Sequence, residues 1–151
     1  MKLKLMLGDF VQVKSCTCPN AYRVIKIDLK PKPGEYPIHV DRPADGLPYT
    51  YLDWDEIEPI PLIEEMLTKN NWYQSKCGDK TLYFIPNKLF YLVNLYKGYM
   101  TIGVLINGKM LNLFSIKYVH ELQHVLYLLE LVEWADNFTL TLLETEIDMS
   151  N

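Results

Sequence analysis

Eight of the nine prolines in this 151-residue chain lie at or before Pro61, and only Pro86 follows. Proline fixes φ and donates no backbone N–H, which restricts the first part of the chain to short extended runs and turns. Four runs fit that restriction: Phe10 to Val13, Tyr22 to Ile27, Tyr36 to Val40 and Tyr49 to Leu52. Pro19-Asn20, Pro31-Lys32-Pro33-Gly34 and Pro43-Ala44-Asp45-Gly46 supply the turns between them. Residues 1–58 therefore read as a small, strongly bent SH3-like β-barrel.

Leucine becomes abundant where proline disappears, and residues 59–148 read as a second, two-layer α+β domain. Leu62 to Thr68 spaces its apolar residues as a short helix with Glu64 and Glu65 in the first turn, where they suit the helix dipole. Thr81 to Ile85, Leu89 to Asn94, Tyr99 to Ile106 and Met110 to Phe114 are strand-like, and Asn107-Gly108 between the last two is a strong hairpin signal. From Lys117 to Trp134 the residues Val119, Leu122, Leu126, Leu129 and Val132 form one stripe of a long amphipathic helix. Phe138 to Leu143 is expected as a final strand.

The composition is that of a folded globular chain, with 49% hydrophobic and 23% charged residues. Fifteen basic against nineteen acidic side chains, a formal charge of −4, argue against a mainly electrostatic nucleic-acid binder. That figure is the sum of opposed regions. Lys69 to Lys117 carries seven lysines and one acid, Asp79, whereas Tyr118 to the end carries seven acids and no Lys or Arg. The apolar run at the start is cut by Gly8-Asp9 before it reaches the length of a secretion signal, and Val125 to Val132 is too short to cross a bilayer. Three cysteines, Cys16, Cys18 and Cys77, do not suit a disulfide framework, and the expected location is the reducing cytoplasm.

Three phrases are similar to the pattern of an uncharacterised family of small proteins from gut bacteria, their phages and mobile elements. They are Gly8-Asp9-Phe10-Val11, the run Ile57-Glu58-Pro59-Ile60-Pro61-Leu62-Ile63-Glu64-Glu65-Met66-Leu67, and Tyr118-Val119-His120-Glu121-Leu122-Gln123. The resemblance covers nearly the whole chain in order. It implies the same division of the chain and carries no activity. This chain departs from the family pattern with Ile63 in place of Thr, Asn71-Trp72 in place of Gly-Phe, and His124 in place of Asn.

His120-Glu121-Leu122-Gln123-His124 has the spacing of a zinc-hydrolase helix, with His120 and His124 as ligands one turn apart and Glu121 as general base on metal-bound water. Three features oppose that reading. Both histidines point away from the apolar stripe and would be solvated unless the barrel covers them. No third ligand follows at a convincing spacing, since Tyr127 stands where a Gly turn is required. The family pattern has Asn at the position of His124.

Other groupings are weaker. Tyr83, Tyr91, Tyr99 and Phe114 with Lys80, Lys88, Lys97 and Lys109 would suit stacking on single-stranded nucleic acid if they shared an exposed sheet face. Cross-strand packing with lysines at turns is the plainer account. Cys16 and Cys18 with Cys77 or His39 lack the usual zinc spacing. The acidic run Asp53 to Glu58 reads as a solvated connector. No Gly-rich phosphate loop and no Gly-x-Ser-x-Gly elbow occurs.

The leading expectation is a non-enzymatic binding or adaptor protein, encoded on a phage or mobile element, with a protein partner and no catalytic, cofactor or metal residue. Its candidate surface is an aromatic-lined groove of Tyr22, Tyr36, Tyr49, Tyr51 and Trp54. A zinc-dependent hydrolase through residues 120–124 is the alternative, and a single-stranded nucleic-acid accessory the weaker one.

Overall fold

The computed structural model describes residues 4–14, 22–42, 47–86, 90–96 and 98–138, with the side chains of 42, 47–50, 95 and 96 outside the description. The protein is mixed α+β, with two five-stranded antiparallel sheets and few helices. The strands are β1 (Phe10–Val13), β2 (Tyr22–Ile27), β3 (Ile38–Arg42), β4 (Leu47–Leu52), β5 (Ile57–Pro59), β6 (Tyr73–Cys77), β7 (Lys80–Phe84), β8 (Phe90–Tyr96), β9 (Tyr99–Ile106) and β10 (Lys109–Ile116). The helices are α1 (Glu64–Lys69), α2 (Val119–Leu128) and α3 (Val132–Asp136).

The chain divides into two compact units, one of Met1–Ile60 with Tyr118–Asp136 and one of Pro61–Lys117 with Asn137–Asn151. The expected cut at 58/59 thus has a counterpart at Ile60/Pro61, but the chain returns to the first unit for α2 and α3. The long helix was expected to layer on the second sheet. It belongs with the first, because its polar residues bond the backbone of the segment leading into β1, as described below.

In the first unit the strand order is β4-β3-β2-β1-β5, and no pairing among the described residues closes it into a barrel. Register explains the core. Val24 pairs with Val40 and Ile38 with Leu52, and these residues are buried with Val11, Val13, Tyr22 and Ile57. Register shifts at Val24/Lys26 and Val40/Arg42 mark bulges, which increase local bend and twist. The acidic run 53–58 is more than a solvated connector. Asp53 accepts from the Trp54 N–H and Glu56 accepts from the Asp53 N–H, closing a 3₁₀ turn before β5 pairs with β1.

The second unit is a meander, β10-β9-β8-β7-β6. Asn107 (φ 51°) and Gly108 (φ 77°) join β9 and β10 in a tight turn, with Ile106 opposite Lys109, as their sequence predicts. Strand β6 was missed. Its residues Tyr-Gln-Ser-Lys-Cys are all exposed and show no apolar alternation, so the only signal was the turn Gly78-Asp79, with Gly78 at φ 65°. The expected strand at 138–143 lies outside the described residues except for Phe138, which is buried.

The expected helix over 117–134 is broken at Glu130, which takes φ 59°. The Leu131 N–H bonds the Leu126 carbonyl and the Glu130 N–H the Tyr127 carbonyl, the pair of bonds that closes a Schellman end. The break leaves Leu129 and Val132, two expected stripe residues, about half exposed. Helix α1 ends the same way, with Trp72 N–H on the Leu67 carbonyl, Asn71 N–H on Thr68, and Asn71 at φ 67°. Asn tolerates this conformation better than most residues, which accounts for Asn71 at this position.

Helix α1 begins on Ile63, whose side chain caps nothing. Ile63→Thr should therefore stabilise the protein by about 1 kcal/mol by supplying a cap acceptor. Glu130→Gly should do so by a similar amount, about 1 kcal/mol, by relieving the left-handed backbone. Urea unfolding of each variant against the parent measures both.

Candidate functional site

Two groups of side chains in the first unit concentrate chemistry. The first is built where Gly8-Asp9 meets α2. Gly8 has φ 92°, and a Cβ there would lie 2.8 Å from the Tyr127 hydroxyl, so both conformation and space require glycine. Its N–H bonds the Val24 carbonyl at 2.7 Å, which joins this segment to β2. Asp9 is fully buried, and its Oδ2 accepts from the Met6 N–H at 2.8 Å.

Helix α2 supplies the other half. Gln123, only 1% exposed, accepts from the Phe10 N–H at 2.9 Å through Oε1. Its Nε2 donates to the Gly8 carbonyl at 3.1 Å and to the Ala135 carbonyl at 3.4 Å. His124 Nε2 lies 2.6 Å from Asp9 Oδ2. That oxygen already accepts from Met6, so we assign the Nε2 proton to His124 as donor. Tyr127 donates to Asp136 Oδ1 at 2.6 Å, and burial first, then Asp136, pushes its hydroxyl pKa well above the ordinary value.

His120 is buried, stacked on Tyr118 with centroids 5.9 Å apart and edge-on to His124 at 5.6 Å. His120 is thus buried and His124 is held against Asp9 of the segment leading into β1 with 24% of its side chain exposed, where the sequence left both solvated unless the barrel covered them. Burial holds the His120 pKa below its usual value, the Asp9 charge opposes this, and His124 adds to the lowering. His120 Nδ1 and Asp9 Oδ1 are buried without a hydrogen-bond partner among the described residues.

The zinc reading needs Glu121 free to act on water, but its Oε1 accepts from the Tyr118 N–H at 3.0 Å at the start of the helix. His124 Nε2 faces Asp9. Among the described residues no three His, Cys, Asp or Glu side chains are grouped to hold a metal ion. Cys16 and Cys18 lie outside the described residues, and Cys77 is an exposed free thiol.

The second group is a groove of about 410 Å³ lined by Lys26, Asp28, Glu35, Tyr36, His39 and Tyr51. Strand register builds its floor. Lys26 pairs with His39 and His39 with Tyr51, so the three form one row across β2, β3 and β4, on the face opposite Val24, Ile38 and Leu52. The His39 and Tyr51 rings meet edge to face at 4.5 Å.

The β2–β3 loop forms the groove's wall. Glu35 N–H bonds the Lys32 carbonyl at 3.0 Å across Pro33 and Gly34, the latter at φ 86°, the pattern of a type II turn. Asp28 N–H bonds the Pro37 carbonyl at 2.8 Å, and Asp28 Oδ1 accepts from Lys30 N–H at 3.0 Å. These bonds fix a loop that presents Glu35 and Tyr36 outward.

Of the five aromatic residues expected to line a groove, Tyr36 and Tyr51 do so, 51% and 53% exposed. Tyr22 is buried in the core and Trp54 packs against it, while the Tyr49 side chain lies outside the description. Asp28, Glu35, Lys26 and His39 were not expected here. The alternation that puts Val24 and Ile38 inward was the available signal for Lys26 and His39, and Pro33-Gly34 for the loop.

The expected stacking face in the second unit is not assembled. Tyr83 pairs with Leu92 whereas Tyr91 pairs with Phe84, which places the two tyrosines on opposite faces. Both are buried: Tyr83 donates to Glu64 at 3.2 Å and Tyr91 to Asn112 at 2.6 Å. Burial first, then Glu64, pushes the Tyr83 hydroxyl pKa up to about 12. Tyr99 and Phe114 are exposed, and Lys88 and Lys97 lie outside the described residues. Comparisons of the chain with protein-family models, with curated proteins and with solved structures find no match.

Two outcomes follow from the buried group. Gln123→Leu strands the Phe10 N–H and the Gly8 carbonyl, and should cost roughly 3 kcal/mol in urea unfolding. The unfolded chain takes up a proton on His120 near pH 6.5, which the folded chain accepts only at lower pH. This contribution to stability is therefore intact above pH 6.5 and lost as pH falls below it. His120→Phe should reduce the drop in urea midpoint between pH 7.5 and 5.5; an unchanged drop would remove His120 as its source.

Proposed function

We propose that this is a non-enzymatic binding or adaptor protein that acts through protein–protein surfaces, with the Tyr36/Tyr51 groove as its contact site. The observation that carries the reading is the groove itself: two half-exposed tyrosines beside Asp28 and Glu35, with Lys26 as the single ammonium. Such a surface suits an extended segment of a partner protein that places apolar or proline side chains on the rings and a Lys or Arg between the carboxylates. The bonded loop holds its shape before binding, which lowers the entropy lost on association.

The bent five-stranded sheet supports an SH3-like first domain, and the division into two units supports a two-domain layout. Residues 8–11, 57–67 and 118–123 support membership of the resembling family and an origin on a phage or mobile element. The exposed free Cys77 agrees with a cytoplasmic location. Among the described residues no helix is long and apolar enough to cross a membrane.

The zinc hydrolase remains a second reading because one observation favours it: among the described residues, His120 Nδ1 and Asp9 Oδ1 are buried without a partner beside His124. It is the lesser reading because Glu121 is engaged at the helix start. Stoichiometric zinc in purified protein, lost in His124→Asn, would promote it.

Fluorescence anisotropy with a panel of extended peptides tests the first reading. Peptides joining a Lys or Arg to proline or aliphatic residues should bind. Tyr36→Ala with Tyr51→Ala should weaken binding at least about tenfold with the fold intact, because both rings are half exposed. Binding that ignores both substitutions would remove the groove from the proposal.

A further inference from the structure

The groove on the first sheet contains one group whose charge is not fixed. His39 sits in the middle of the floor, half-buried, with Lys26 of β2 opposite it on one side and Tyr51 of β4 on the other. Histidine ordinarily takes up its proton between pH 5 and 8, a range over which lysine and carboxylate side chains ordinarily keep their charges. The connections at this end of the sheet, residues 28–37 and 53–56, are all described, and Tyr36 and Tyr51 are about half exposed beside them.

The neighbours of His39 decide what its proton does. Lys26 is its direct cross-strand partner, and like charges so placed, with Cβ atoms about 5 Å apart, repel. The Lys26 side chain is exposed on a flexible stem, and the groove that contains it also holds the carboxylates of Asp28 and Glu35. Tyr51 holds the imidazole edge to face at 4.5 Å. The next outward pair on these strands, Arg23 against Asp41, brings one charge of each sign. With His39 neutral, the lining residues sum to +1 − 2 = −1, and with His39 protonated to +2 − 2 = 0.

We infer that His39 makes the groove selective for basic partner segments only while its imidazole is neutral. Neutral, it leaves Asp28 and Glu35 to a Lys or Arg of the partner. Protonated, it repels that residue and drives the Lys26 ammonium onto the same carboxylates, an internal competitor for the partner's cation. The inference rests on the groove being the contact site, and it adds a direction: binding is strong at neutral pH and weakens as pH falls through the histidine range. The coupling is reciprocal, so a bound basic segment opposes protonation of the imidazole.

The test uses rhodamine-labelled peptides of proline, leucine and arginine, acetylated and amidated so that arginine is the only ionisable residue. Anisotropy titrations are run at pH 7.5 and 5.5, with circular dichroism to show the chain folded at both. The parent should bind roughly three- to tenfold more weakly at pH 5.5, the effect of one added charge nearby at a protein surface. His39→Gln should bind with the same affinity at both pH values. His39→Lys, with its charge fixed, should also be indifferent to pH and should bind more weakly than His39→Gln by a similar factor. A parent that binds equally at both pH values overturns the inference and leaves the groove standing as contact site, as does a pH dependence that persists in full in His39→Gln. Should none of the peptides bind the parent at either pH, the groove reading falls and takes the inference with it.

Discussion

The side chain of Gln123 organises the first unit. An extended segment with Gly8 and Phe10 in it enters the interior carrying a donor and an acceptor that no strand satisfies, and a buried unpaired backbone group costs about as much as several apolar contacts return. One carboxamide meets both, with Oε1 on Phe10 and Nε2 on Gly8, and extends to Ala135. Asp9 between them takes His124. The positions of Gly8, Asp9, Gln123, His124 and Tyr127 are mutually dependent. This gives the phrases at 8–11 and 118–123 a joint structural meaning, and it shows how two histidines at metal-ligand spacing can serve as packing and hydrogen-bonding groups.

Local patterns in the sequence were legible where one face is buried. Strands Phe10–Val13, Tyr22–Ile27 and Tyr99–Ile106 have the bounds that alternation and turn residues predict, and Asn107-Gly108 makes the expected turn. Strand Tyr73–Cys77 was illegible because an exposed edge carries no alternation. The placement of Val119–Leu128 was illegible for a different reason. Its apolar stripe says that one face is covered, but the partner of its opposite face is fixed by Gln123 and Asp9, polar residues 114 positions apart that no periodicity connects.

The tyrosines show how far composition alone can lead. Eleven of them invite a single explanation, yet the structure divides them by register and loop geometry. Tyr22 faces the core, Tyr83 and Tyr91 are buried with their hydroxyls bonded to Glu64 and Asn112, and Tyr36 and Tyr51 stand half exposed beside carboxylates. The last pair sets two exposed rings beside two carboxylates in one groove, which is why the proposed contact site rests on them.

The discontinuity of the first unit has a consequence for biosynthesis. Residues 61–117 leave the ribosome before the segment containing Gln123 and Asp136 exists, and the meander they contain is made of sequence neighbours that can pair at once. The first sheet has its strands early but lacks the carboxamide that satisfies its leading segment until more than sixty further residues are made. During that interval the buried aspartate and its flanking amides remain in water. The first unit is therefore completed only after the meander has been made, although its strands are translated first, and a nascent chain arrested before α2 would display an incomplete sheet to whatever meets it.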